Sequence, residues 1–411
     1  MKMLPPETSF LKTNKNMKPL PFLASSIFCL AGLCSAATTA TARSLAGSTS
    51  LPPATLCSAG LPAEAPADTL SSERGVICVS VCNIHARADF ESPMETQALL
   101  GTPVRILRRA RWYQVETPDG YVSWVHRGVV VPMTEEAFSQ WRSAAKIQIT
   151  APYSQIYSEA SRESLPVGDI VAGCMLKKLD EKGDFYHVAY PDGRQGYVHR
   201  SEAAPLEQWL AECRPTLPRL VHTALGFTGI PYLWAGTSGK GVDCSGLVQL
   251  SALLNGVVLP RNASQQARVG RRIACLRTPE GKLFTSISSA DSARSVQASK
   301  RLARPISAHD PKVSPLDQRD LSIDLRQLVP GDLVLFGKPA EAGKKERVTH
   351  IGIYLGQSRF LHSQGYVHTS SFLPTDPQYD AFNRNRFLGA VHIADEKGQI
   401  IAPRLQDLLQ K

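Results

Sequence analysis

The chain has 411 residues, nine cysteines and ten histidines, yet it contains no Cys-x-x-Cys pair and no Cys/His spacing suited to zinc. That argues against a structural zinc module, and no metal ligand set or cofactor motif is expected. Nor is there a short Lys/Arg block interleaved with aromatics, so the net charge of +10 is not read as a nucleic-acid footprint. The apolar run from Phe22 to Leu33 falls short of the roughly 20 residues a membrane helix needs. Global disorder is excluded too, because 43% hydrophobic and 20% charged residues are ordinary globular values.

The run from Phe22 has a short basic start behind Met17 and small residues at Ser35–Ala37 ahead of it, which is the pattern of an export signal. Residues 1–36 are therefore expected to be a signal peptide, with Met17 as an alternative start, and the protein to be exported to the periplasm or cell envelope. Leu33 before Cys34 is too large for the usual lipid-anchor site, so a soluble exported form is preferred. Without that segment the chain still carries +7, which favours anionic surroundings and a peripheral association with the envelope. Seven cysteines would remain, an odd number that leaves at least one free thiol if all bonds are internal. Oligomeric state is not legible.

Residues 37–73, rich in Ala, Ser, Thr and Pro, read as a linker. An internal repeat follows: "RWYQVETPDGYVSWVHR" (Arg111–Arg127) and "DFYHVAYPDGRQGYVHR" (Asp184–Arg200) share an aromatic pair, a Pro-Asp-Gly turn and a Val-His-Arg ending. Short alternating strands punctuated by such turns predict two small β-barrels, 74–133 and 147–205, which resemble bacterial SH3-like domains. Residues 134–146 should form a linking helix capped by Thr134. Leu206 to Phe227 reads as two helical pieces broken around Pro215 and Pro218.

The remaining domain, 206–395, places a helix from Ser245 to Leu254 ahead of strands in "LVPGDLVLFG", "VTHIGIYLG", "RFLHSQG" and "RFLGAVHI", an α+β order. Between them, 271–327 is polar and weakly periodic, and reads as an extended insertion. Residues 396–411 are left as a C-terminal tail.

The chemistry-bearing stretch is "GVDCSGLVQLSALLNG" (Gly241–Gly256). Cys244 falls where a loop becomes a helix, and the unpaired amides of a first helical turn lower a thiol's pKa and can receive an oxyanion. Gly246 is expected to keep that turn slim enough for a substrate carbonyl. His350 alternates with Ile351 along a strand, and His362 on the next strand can reach it across a hairpin, giving base and orienting residue. The remaining histidines, His368 and His392 included, carry no partner motif. Taken singly, a cysteine before a helix or a histidine on a strand is more often structural.

Together, "YLWAGTSGKGVDCSGLVQ", "LPRNASQQ", "VPGDLVLFG", "THIGIYLG" and "RFLHSQG" occur in the order of NlpC-type cell-wall cysteine peptidases, a papain-like family of peptidoglycan hydrolases, which the chain resembles over about Leu217 to Ile393. The resemblance implies Cys244 as nucleophile, His350 as base, His362 as orienting residue, and Tyr232 beside the oxyanion or substrate carbonyl. Two SH3-like domains ahead of the catalytic domain resemble the subgroup that cleaves γ-D-glutamyl to diamino-acid bonds in peptides with a free N-terminal L-Ala. In that subgroup the first SH3-like domain closes the cleft, so Asp243 and Ser245 are expected at the substrate amine, with Trp234, Tyr121 and Trp124 among the substrate contacts. For Tyr121 and Trp124 a place in the barrel core is the equal alternative. Asn262-Ala263 stands where relatives often carry Asp-Ser. The implied partners are peptidoglycan stem peptides or muropeptides, not nucleic acid. An endopeptidase on polymeric wall, or a non-catalytic wall-binding module, are the competing readings.

Overall fold

The computed structural model describes residues 70–278, 282–284, 322–340 and 344–409. The export segment, most of the 37–73 linker and the centre of the 271–327 insertion lie outside the described residues.

The first sheet contains β1 (Leu70–Ile77), β2 (Val81–His85), β3 (Met94–Leu99), β4 (Pro103–Arg108), β5 (Trp112–Glu116), β6 (Val122–His126) and β7 (Val130–Met133), in the order β3-β2-β6-β5-β4-β1-β7. Helix α1 (Glu135–Ser143) follows, with the Thr134 hydroxyl accepting from the Ala137 amide as the expected cap. The second sheet contains β8 (Lys146–Ile149), β9 (Tyr153–Tyr157), β10 (Pro166–Val171), β11 (Met175–Lys182), β12 (Phe185–Ala189), β13 (Gln195–His199) and β14 (Ala203–Pro205). Its order, β10-β9-β13-β12-β11-β8-β14, is the first order shifted by seven strands, so the sequence repeat is a repeat of topology.

The repeated residues have local reasons. Gly120 and Gly193 close the Pro-Asp-Gly turns at φ of 79° and 89°, where a side chain would be strained. His126 and His199 each accept a backbone amide, from Gly128 and Ser201, capping matching 3-10 turns. Inward residues such as Ile84, Ile106, Val115 and Val125 fill the first barrel. Ile147, Ile156, Ile170 and Val198 of the second belong to a core continuous with the domain that follows.

That domain begins with α2 (Leu206–Glu212) and α3 (Leu217–Leu225). The break lies between them at Cys213–Thr216; Pro218 stands in the first turn of α3, where a missing N–H costs nothing. A short hairpin, β15 (Thr237–Ser238) and β16 (Gly241–Val242), leads directly into α4 (Cys244–Leu253). Leu247, Val248, Leu250, Ser251 and Ala252 are all buried, so α4 is a central helix and not a surface helix with one apolar face. Helix α5 (Ala263–Gln266) follows.

The expectation of a polar extended insertion is corrected at its described ends, which are strands. β17 (Arg271–Ile273) joins the main sheet, while β18 (Leu276–Arg277) pairs with β19 (Leu283–Phe284) and β20 (Ser322–Ile323). Ile273, Cys275 and Leu276 pack with Phe336, Phe360, Phe372 and Phe387, and that burial fixes the segment to the sheet.

The main sheet continues with β21 (Leu333–Lys338), β22 (Arg347–Gly356), β23 (Arg359–Gln364), β24 (Tyr366–Ser371) and, after helix α6 (Ala381–Asn385), β25 (Phe387–His392). Its order is β17-β25-β21-β22-β23-β24, and α4 packs against β22 and β23. Two bulges flank Phe336: pairing with β22 skips Thr349, and pairing with β25 skips Leu388. Such bulges bend a strand and re-aim its side chains. The segment after β25 folds back, with the Ile400 amide donating to Pro215 at 2.7 Å and Leu405 of α7 (Leu405–Leu409) buried. Among the described residues no helix is long and apolar enough to cross a membrane.

Candidate active site

Cys244 is the first residue of α4, and Asp243 is its cap: Asp243 Oδ1 accepts from the Gly246 amide at 2.7 Å. The loop before it is held at close quarters. A Cβ on Gly246 would stand 1.9 Å from the Gly236 carbonyl oxygen, so Gly246 makes room for that loop and not for a substrate carbonyl. Ala235 adopts φ of 61°, uncommon for a residue with a side chain, and its amide donates to Asp243 Oδ2 at 3.0 Å.

Across the cleft, His350 Nε2 lies 2.8 Å from His362 Nδ1, and His362 Nε2 lies 3.0 Å from Ser370 Oγ. The predicted hairpin between β22 and β23 brings the two rings together, while Ile351 and Ile353 take the alternate, fully buried positions. Asp380, the cap of α6, stands 3.9 Å from His362 Nε2. Burial, reinforced at His350 by His362, holds His350 well below its ordinary pKa; burial and His368 bring His362 down to about 3. Both rings are therefore neutral near pH 7.

The thiol departs from expectation. Burial and the neighbouring Asp243 carboxylate push Cys244 up to about 11, against the pull of the Ile351 and Ser245 backbone groups and of Arg261. The helix start helps the thiolate but does not overcome desolvation. Tyr232 is raised to about 12 by burial and by the neighbouring Cys244 and Asp243.

Sequence reading missed Arg261, the arginine of "LPR". It is 2% exposed and donates to Asp243 through Nη1 at 3.1 Å and Nη2 at 2.6 Å, to Ser245 Oγ at 2.9 Å and to Thr96 Oγ1 at 3.1 Å. Ser245 Oγ itself donates to Asp243 Oδ1 at 3.1 Å. Both Asp243 oxygens are thus engaged and its charge is compensated. The signal for Arg261 was its place in "LPRNASQQ", 17 positions beyond Cys244, which spacing alone could not connect to the thiol.

The first barrel closes against this network. Thr237 donates to Gln97 from its amide at 2.9 Å, Gln249 Nε2 donates to Asp119 at 3.1 Å, and Tyr121 lies within electrostatic reach of Asn262 and Arg261. Tyr121 is therefore at the cleft end and not in the barrel core. Trp124 is neither: half-buried, it shares the outer strand face of Val122 and His126, and among the described residues no hydrogen bond or ring contact joins it to the cleft. Trp234, adjacent to Ala235, is 67% exposed. Glu95, half-buried on β3, accepts from Ser123 Oγ at 2.9 Å and lies within electrostatic reach of Tyr121. His368 packs against His362 with ring centroids 4.5 Å apart and planes tilted by 55°, and His392 pairs with buried Asp332 at 2.6 Å, so both have partners that the sequence did not disclose. The six described cysteines are all free, and among the described residues no group of side chains is arranged to hold a metal.

Residues 229–390 match the model of the NlpC/P60 family, and residues 84–128 that of the bacterial dipeptidyl-peptidase Sh3 domain. The chain carries an NlpC/P60 cysteine peptidase domain behind a bacterial SH3 domain. It is 23% identical over 290 residues to a γ-D-glutamyl-L-lysine dipeptidyl-peptidase of Bacillus cereus, covering 68% of this chain and 70% of that one. It is 26% identical over 195 residues to dipeptidyl-peptidase 6 of Lysinibacillus sphaericus, covering 46% and 72%. A solved NlpC/P60 family protein from Bacillus cereus superposes with a TM-score of 0.55 at 20% identity, over 78% of this chain and 99% of that one, a likeness of fold. The NlpC/P60 domain contains Cys244, His350 and His362, and the matched SH3 segment contains Tyr121 and Trp124.

Proposed function

We propose that the chain is an exported cysteine peptidase that hydrolyses the γ-D-glutamyl to diamino-acid bond of peptidoglycan-derived peptides with a free N-terminal L-Ala. The observation that carries this reading is the buried Cys244, His350 and His362 group beside a cleft end closed by the first barrel. The γ-D-glutamyl-L-lysine peptidase among its relatives supports the substrate class, and the apolar segment at 22–33 supports export.

The reaction requires one of the two tautomers that these contacts allow. With His350 Nε2 donating to His362 Nδ1, and His362 Nε2 donating to Ser370, the unpaired lone pair of His350 sits on Nδ1. That nitrogen takes the Cys244 proton as the sulfur attacks the γ-carbonyl carbon of D-Glu. The Tyr232 hydroxyl and the Cys244 amide, a first-turn donor without a helical acceptor, receive the oxyanion. His350 then returns the proton to the departing amine, leaving a thioester on Cys244. Water, deprotonated by His350, cleaves the thioester, releases L-Ala-γ-D-Glu and restores the thiol.

At the closed end, Asp243 is saturated by Arg261, Ser245 and two amides, so it positions Arg261 and the helix more than it meets a free ammonium. Glu95 beside Tyr121 carries a single side-chain hydrogen bond and supplies the uncompensated negative charge for the substrate amine. Hydrolysis of L-Ala-γ-D-Glu-L-Lys, followed by mass spectrometry of the released dipeptide, tests the reading. The native protein should release it and Cys244→Ala should not; release by the variant would overturn the assignment.

A further inference from the structure

Arg386 lies between α6 and β25, beside the strand that carries His350. Its Nη1 donates to Thr349 Oγ1 at 3.4 Å, next to His350, and its Nε donates to Asn383 Oδ1 at 3.0 Å. The guanidinium lies over the Phe382 ring at 4.6 Å. Asn383 is fully buried and is itself held, donating to Asp380 Oδ2 at 2.5 Å and to Gln364 Oε1 at 2.9 Å. The side chain is thus fixed on three sides by neutral groups.

A half-buried arginine normally finds a carboxylate, because removing its charge from water is costly. Among the described residues none lies within ion-pair distance of Arg386. Burial lowers its pKa, and its bonds to Thr349, the neighbour of His350, and to Asn383, which holds the Asp380 behind His362, tie the charge to the two histidines. The two bulges around Phe336 fall at Thr349, which Arg386 contacts, and at Leu388, two residues beyond Arg386. The arrangement is a fork of donors with no carboxylate partner among the described residues, held beside the strand of His350.

The closed end, with Glu95, Tyr121 and Arg261, lies on the barrel side of Cys244. A short peptide anchored there by its amine extends past the sulfur toward the sheet side. We propose that Arg386 is a specificity-determining residue that receives a carboxylate of the amino acid leaving the scissile bond. This rests on the proposed γ-D-glutamyl reading for the identity of the substrate. The carboxylate has two sources, the free C-terminal α-carboxylate of a tripeptide or the side-chain carboxylate of a diamino diacid.

Three peptides separate them: L-Ala-γ-D-Glu-L-Lys with a free C-terminus, the same peptide as its C-terminal amide, and the diaminopimelate analogue with only its α-carboxyl amidated. A charge-assisted bidentate contact is worth about ten-fold or more in kcat/KM. The native enzyme should prefer a carboxylate-bearing peptide over the lysine amide by about that factor, expressed mainly in KM, and Arg386→Gln should bring the ratio close to one. Preference for the free lysine C-terminus assigns the α-carboxylate; preference for the amidated diaminopimelate peptide assigns the side-chain carboxylate. A ratio unchanged in the variant overturns the proposal.

Alkylation gives a readout independent of the substrate. The rate of Cys244 modification by iodoacetate relative to iodoacetamide should fall about ten-fold in Arg386→Gln, because only the anionic reagent is drawn to the guanidinium. If the native protein cleaves none of the peptides while this ratio falls, the γ-D-glutamyl reading fails and the carboxylate site stands. An unchanged alkylation ratio counts against the site itself.

Discussion

His350 Nε2 and His362 Nδ1 are 2.8 Å apart inside a site from which water is largely excluded, so one ring must donate and the other accept. His362 Nε2 faces Ser370 Oγ at 3.0 Å with the Asp380 carboxylate 3.9 Å away, which favours a proton on Nε2 and thereby leaves Nδ1 of His350 as the base. His362→Asn keeps an acceptor for the His350 N–H, whereas His362→Leu removes it. His362→Leu should lose about 100-fold or more in kcat, within the usual range for a displaced general base, and His362→Asn clearly less. Equal losses in steady-state assays would contradict the orienting role.

The thiol is the second point of test. With Cys244 held up to about 11 by burial and Asp243, and both histidines neutral, the resting site is a thiol beside an imidazole and not an ion pair. Alkylation by iodoacetamide without substrate should accelerate continuously from pH 6 to beyond pH 9. A plateau reached below pH 7 would show a preformed thiolate.

The Arg261–Asp243 pair predicts a stability effect. Removing the cation strands a buried carboxylate, so Arg261→Met should cost about 3–5 kcal/mol in urea unfolding. Adding Asp243→Leu removes the stranded charge, and the double variant should be more stable than Arg261→Met alone. Additive losses would show that the two side chains are not coupled.

Acid should destabilise the fold through the same histidines. A base whose folded pKa is depressed binds fewer protons native than unfolded, so stability is full above the unfolded value near 6.5 and is lost as pH falls, toward about 3 for His362 and well below the ordinary range for His350. Each histidine contributes a slope of up to about 1.4 kcal/mol per pH unit in that window. Urea midpoints at pH 7 and pH 5 should differ more for the native protein than for His362→Asn, and identical shifts would contradict the assignment.

What the sequence discloses here is local. The Pro-Asp-Gly turns and Val-His-Arg endings carry the barrel repeat because turn and cap chemistry act within a few residues. Cys244, His350 and His362 were legible for a similar reason: one marks a helix start, and the others lie a hairpin apart. Arg261, Arg386, Asp380 and Glu95 were not, since they reach the cleft only through tertiary folding, and nothing in their own neighbourhoods distinguishes them from solvated charges. Gly246 was read correctly as a close approach, but the atom approaching is the Gly236 carbonyl oxygen. The strands at the ends of the insertion were hidden by its polar composition, because a few buried residues, Ile273, Cys275 and Leu276, suffice to fix them.

The central claim concerns which end of a peptide the closed site accepts, and one comparison tests it most directly: kcat/KM for L-Ala-γ-D-Glu-L-Lys against the same peptide acetylated on its L-Ala nitrogen. Acetylation should abolish turnover, because it removes the charge proposed to meet Glu95 and adds bulk against Tyr121. Equal rates for the two peptides would contradict it and point to an endopeptidase with an open cleft.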